Sequence, residues 1–76
     1  MNIKDMQVGE KAEILGFESA PKQYRSKLLS MGLTKGTVIQ LKKVAPLGDP
    51  VEITVRGFNL SLRKDEADIL QVRRKS

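Results

Sequence analysis

The sequence predicts a mainly β fold, a small barrel of about five short strands, with one α-helix between strands 1 and 2 and a short 3₁₀ turn before the last strand. Three observations predict it. Val51 to Val55 and Phe58 to Leu62 alternate apolar and polar side chains without a break, as strands with one buried face do. A single stretch, between residues 19 and 32, sets apolar residues at helical spacing between a Ser/Pro start and a glycine stop. The chain of 76 residues, 39% of them hydrophobic, has apolar material for one thin core. Folding at that size takes only ~60% of the unfolded surface out of water.

Lys11 to Phe17 reads as the first strand, with Ile14, Leu15 and Phe17 as its apolar content. Ser19 stands as the N-cap of the helix, and Pro21 falls in the first turn, where a missing N–H costs little. The helix runs to about Met31, and Gly32 is its left-handed stop. At about 100° per residue, Tyr24, Leu28 and Met31 share the core stripe. Lys22 and Arg25 point the other way, with Leu29 between them on the polar side.

Thr37 to Ala45 reads as the second strand. Ile39 and Leu41 share one parity and Val44 has the other, so one extra residue near Lys42 and Lys43 makes a bulge or sharp bend. Pro46 to Pro50 is a loop of turn-forming residues. The two alternating strands follow, joined by a tight Arg56-Gly57 turn. Lys64 to Asp68 is expected as one 3₁₀ turn and Ile69 to Val72 as the last strand. One domain is expected over 1–76, with its core at about 3–73 and residues 74–76 a frayed basic tail that begins as Arg73-Arg74-Lys75 leaves the strand. Five strands this short hide their edges best by curling, with the helix plugging one end. That shape is an SH3-like barrel.

The formal net charge is +5, and it is unevenly placed. Residues 1–18 hold Lys4 and Lys11 against Asp5, Glu10, Glu13 and Glu18. Residues 19–48 hold Lys22, Arg25, Lys27, Lys35, Lys42 and Lys43 and no acid at all. Such a block favours an anionic partner. The chain has no cysteine, histidine or tryptophan. Disulfides, thiolate–imidazole zinc sites and Cys/His or Ser/His nucleophiles are therefore excluded, and no enzymatic activity is expected. No stretch approaches the ~20 apolar residues of a membrane span, and the N-terminus lacks an apolar signal segment. The expected location is the cytoplasm.

Several linked segments resemble one family. Arg25 to Thr37 (RSKLLSMGLTKGT) is similar to the helix-and-turn signature of the FeoA proteins, accessories of bacterial ferrous iron uptake. Ala45 to Pro50 (APLGDP) is similar to the loop motif of that family. Arg56-Gly57, Leu60 to Arg63 and Ala67 to Ile69 match its C-terminal half. The resemblance covers roughly residues 3–73, with Lys35 standing where the family commonly has proline. It implies an SH3-like accessory of FeoB, a membrane transporter with a cytosolic GTPase domain, reached from the inner face of the membrane only through that transporter.

Four binding readings compete. For iron, the one acidic cluster is Asp65, Glu66 and Asp68, expected as a solvated turn; ferrous sites favour imidazole with carboxylate, so no metal site and no cofactor is expected. For nucleotide, Gly32 to Gly36 has its lysine before the second glycine, whereas a phosphate-binding loop needs it after. For nucleic acid, the alternative reading is a basic SH3-like binding module. Its stacking aromatics could only be Phe17, Tyr24 and Phe58, all expected to face the core, so no specific nucleic acid is expected. For protein, Leu29 and Leu47 lack a place in the core and stand near Lys22, Arg25 and Lys43. These five are the candidate partner-binding residues, suited to an acidic, partly apolar surface of the transporter or to a second copy of the chain.

Overall fold

The computed structural model describes residues 1–75. Its strands are β1 (Lys11–Phe17), β2 (Val38–Val44), β3 (Val51–Val55), β4 (Phe58–Leu62) and β5 (Leu70–Lys75). They form one antiparallel sheet in the order β4-β3-β2-β1-β5. Helix α1 (Lys22–Ser30) joins β1 to β2, helix α2 (Lys64–Ile69) precedes β5, and a 3₁₀ turn at Ile3–Asp5 precedes β1.

The strand patterns of the sequence reappear as burial. Ile39, Leu41, Ile53 and Leu62 point inward with at most 1% exposure. The extra residue in β2 is present, because its register against β3 shifts between Leu41 and Lys43. That bulge sets Val44 opposite Val51, although Val44 stays half exposed. A second bulge, between Ile14 and Gly16, lies in the pairing of β1 with β5. Bulges increase local twist, which helps so short a sheet to curl.

Helix α1 ends as expected. Gly32 takes φ +85°, its N–H donates to the Leu29 carbonyl at 3.0 Å, and the Leu33 N–H donates to the Leu28 carbonyl at 3.1 Å. These two bonds make a Schellman motif, and its apolar pair, Leu28 with Leu33, is fully buried. The Arg56-Gly57 turn has φ +50° and +84°, left-handed at both positions, as a two-residue hairpin with strand-matched twist requires.

Four expectations are corrected. Helix α1 starts at Lys22, with extended Pro21 and not Ser19 at the cap; the Pro21 carbonyl accepts the Tyr24 N–H at 3.1 Å. The segment before the last strand is a short α-helix and not a 3₁₀ turn, since the Ala67 N–H reaches the Arg63 carbonyl four residues back. Two amides at its N-terminus are capped by carboxylates: the Arg63 N–H donates to Glu66 Oε1 at 2.9 Å and the Lys64 N–H to Asp49 Oδ1 at 3.1 Å. Arg73, Arg74 and Lys75 are not frayed but continue β5, paired with Glu13, Ala12 and Lys11; Ser76 lies outside the described residues. Phe58 keeps the core parity of β4 yet is 72% exposed, because it sits at the hairpin end of an outermost strand.

Candidate partner-binding surface

The outward face of α1 carries Lys22, Arg25 and Leu29 in solvent, with Leu29 44% exposed. Its inward face buries Leu28 and packs Tyr24 and Met31 against the core. Lys43 is exposed on β2 at the bulge. Leu47 is 94% exposed at the tip of a loop tied across its base by Gly48 N–H to the Ala45 carbonyl (2.8 Å) and Ala45 N–H to the Pro50 carbonyl (3.1 Å). A tied loop holding an apolar side chain wholly in water is a shape suited to insertion into a partner.

The five residues therefore form two groups, one on α1 and one at the β2–β3 end. No hydrogen bond or ion pair among the described residues joins the groups. Helix α2 contacts both regions. Lys27 Nζ lies 2.5 Å from Glu66 Oε2 on the α1 side, and Asp49 caps Lys64 on the loop side.

The ion pairs sharpen the charge reading. Arg73 pairs with Glu13 at 2.8 Å and Arg74 with Glu10 at 2.6 Å, so acids on and just before β1 neutralise two of the three bases of β5. Within the basic block only Lys27 is paired among the described residues. Lys22, Arg25, Lys35, Lys42 and Lys43 keep their charge for solvent or for a partner.

Glu66 is where the acidic cluster departs from a solvated turn, for it is 3% exposed. Burial alone would raise its carboxyl above the usual range. The hydrogen bonds from Lys27 and from the Arg63 N–H, with the positive charge of both residues, outweigh burial and hold it below. Glu13 is also held below the usual carboxylate range, chiefly by the hydrogen bond from Arg73. Among the described residues no group of three or more carboxylates is close enough to share a metal ion. The most apolar cavity, beside Ile3, Met6, Val44, Val51 and Ala67, measures about 240 Å³, below the ~300–1,000 Å³ of small-molecule sites.

One surface residue escaped the reading of the sequence. Phe58 stands exposed beside Arg56, Leu60 and Met31 in an open groove. Its position directly after the hairpin turn was the available signal, since a strand's first residue can overhang the core. The other two aromatics, Phe17 and Tyr24, pack against the core, and one exposed ring cannot stack several bases.

A family model described as the FeoA domain matches residues 1–74. A curated relative from Porphyromonas gingivalis, an Fe(2+) transport protein A/Fe(2+) transporter FeoB fusion protein, is 32% identical over 72 residues. Those residues are 95% of this chain but only 8% of that protein's length. The solution structure of iron(II) transport protein A from Clostridium thermocellum is 35% identical with a TM-score of 0.87, over 97% of this chain and 45% of that one. The zinc complex of Stenotrophomonas maltophilia FeoA, described as an SH3 domain protein, superimposes with a TM-score of 0.81 at 21% identity, over 96% and 89% of the two chains, and shows the shared fold. No helix among the described residues is long and apolar enough to cross a membrane.

Proposed function

The chain belongs to the FeoA family, which is associated with ferrous iron transport, and on that premise we propose that it is a non-enzymatic accessory acting by contact with a FeoB-type membrane GTPase transporter. The observation that carries this reading is the natural fusion of a similar domain to FeoB in one chain. Linking two modules raises their effective concentration to the millimolar range, an arrangement that benefits a pair whose work depends on touching. The same contact in this chain needs an exposed surface.

The two exposed groups supply that surface. Leu29 with Lys22 and Arg25, and Leu47 with Lys43, are exposed apolar residues grouped with cations that form no ion pair among the described residues, Lys43 lying across the strands from Glu52. Such patches steer an acidic partner electrostatically and hold it by apolar burial. The protein then works in the cytoplasm, at the inner face of the membrane, without holding the metal itself; the lack of histidine and cysteine supports that role.

Complementation of ferrous uptake in cells lacking the accessory tests this. Leu29→Asp combined with Leu47→Asp, with folding verified by circular dichroism, is expected to lose most of the uptake that the wild-type chain restores. Full uptake by the folded double variant would sink the assignment of these two groups.

A further inference from the structure

Two strands bound the sheet, and the fold treats them differently. β5 is covered and charged. The Val72 N–H donates to the Met1 carbonyl at 2.8 Å, the Met1 ammonium donates to the Val72 carbonyl at 3.3 Å, and Arg73, Arg74 and Lys75 follow along the strand. β4 has none of this protection: no charge, proline or bulge interrupts Phe58–Leu62. Soluble proteins ordinarily guard an edge with one of those devices.

The hairpin fixes which groups are left over. Its closing pair, Val55 with Phe58, is hydrogen-bonded, and by alternation so are Ile53 with Leu60 and Val51 with Leu62. The N–H and C=O of Asn59 and Ser61 therefore point off the sheet. No other main-chain hydrogen bond among the described residues reaches them. Beside this edge runs the groove of Met31, Arg56, Phe58 and Leu60, with Phe58 72% exposed. Arg56 marks one end of the strand, and Arg63 and Lys64 mark the other. All three are exposed, and none is in an ion pair among the described residues. Glu52 is the one acid on β3 and β4.

We propose that the β4 edge accepts an extended segment of another protein as an added strand, apolar at alternate positions and acidic at both ends. The main-chain groups of Asn59 and Ser61 bond the segment, and its apolar side chains lie over Phe58, Leu60 and Met31. Its acidic ends meet Arg56 on one side and Arg63 with Lys64 on the other. A second copy of this chain is the poorer occupant. Antiparallel pairing of two β4 edges sets the Arg56 end of one against the Arg63–Lys64 end of the other, like charge against like. The surface adjoins the C-terminal end of α1 at Met31 but includes neither Leu29 nor Leu47, and its chemistry defines the segment whichever protein carries it.

The test titrates the full, isotope-labelled chain with a capped peptide in which valine alternates with threonine between terminal glutamates. A companion peptide ends in lysines instead. The glutamate peptide is expected to shift the amide resonances of Phe58, Asn59 and Ser61 and to slow hydrogen exchange at Asn59 and Ser61 several-fold. The lysine peptide should bind about tenfold more weakly, and Arg56→Glu or Lys64→Glu, each with the remaining spectrum unchanged, should erase that preference. The proposal is overturned if millimolar glutamate peptide leaves these amides unmoved, if the two peptides bind alike, or if the shifts fall instead on the Lys22, Arg25 and Leu29 face of α1. It is equally overturned if the chain alone self-associates and protects the same two amides without peptide.

Discussion

Leu28 and Leu29 are neighbours on one helix with opposite fates, since the first is fully buried and the second is 44% exposed. Leu28→Ala removes packed atoms from the centre of the molecule and is expected to cost ~2–5 kcal/mol. Leu29→Ala is expected to change stability by less than ~0.5 kcal/mol. Urea denaturation of the two variants side by side checks the contrast. Gly32 is the position where backbone conformation decides: at φ +85°, alanine is strained, and its Cβ would also stand 3.2 Å from the Arg56 guanidinium. Gly32→Ala should destabilise by roughly 1 kcal/mol in the same measurement. Glu66 carries the pH dependence. Its carboxyl is held below its ordinary value in the folded state, so it adds stability above the unfolded value of 4.5, and that stability is lost as pH falls through the lower folded one. The urea midpoint is expected to drop on acidification below about pH 4.5, and Glu66→Gln should be less stable at pH 7 and flatter across that window. An equal acid slope in the Gln variant would show that other carboxylates, such as Glu13 with Arg73, dominate.

At the scale of elements, legibility followed locality. Val51–Val55 and Phe58–Leu62 were readable because alternation and a turn glycine are written within a few residues, and the Leu41–Lys43 bulge because a parity break is local too. Helix α2 was not readable as an α-helix. Part of its N-terminal capping comes from Asp49, fifteen residues away in sequence, and its inward side rests on the Lys27–Glu66 pair from another helix. The end of β5 was hidden for the same reason, because Glu13, which holds Arg73, lies on β1, and Glu10, which holds Arg74, lies just before it. Of the candidate surface, the sequence exposed Leu29 by helical phase, whereas Phe58 has the parity of a core residue and only the sheet order shows that it overhangs. The Asp49 cap gives an element-level expectation. Asp49→Ala should cost ~1 kcal/mol, the usual worth of an N-terminal cap, and should speed hydrogen exchange at the Lys64 amide ahead of amides in β1. Unchanged exchange at Lys64 would show that water replaces the carboxylate without loss.

At the scale of the whole molecule, the +5 charge resolves into a neutralised sheet seam and an uncompensated remainder. Glu10 and Glu13 are paired with Arg74 and Arg73 of β5, while five of the six bases in residues 19–48 stay unpaired among the described residues. Apolar Leu29 and Leu47 sit among those bases, and a thin barrel core with no histidine or cysteine lies behind them. A molecule so built is suited to touch an acidic, partly apolar protein surface. The most direct test is retention of the cytosolic portion of a FeoB-type transporter by the immobilised chain at ~0.15 M salt, where charges beyond about 8 Å are screened. The wild-type chain is expected to retain it there and, weakened but measurable, at ~0.5 M salt, and the Leu29→Asp, Leu47→Asp double variant is expected to release it at both. Failure of the wild-type chain to retain the transporter even at low salt, or retention that the folded double variant leaves untouched, would contradict the account.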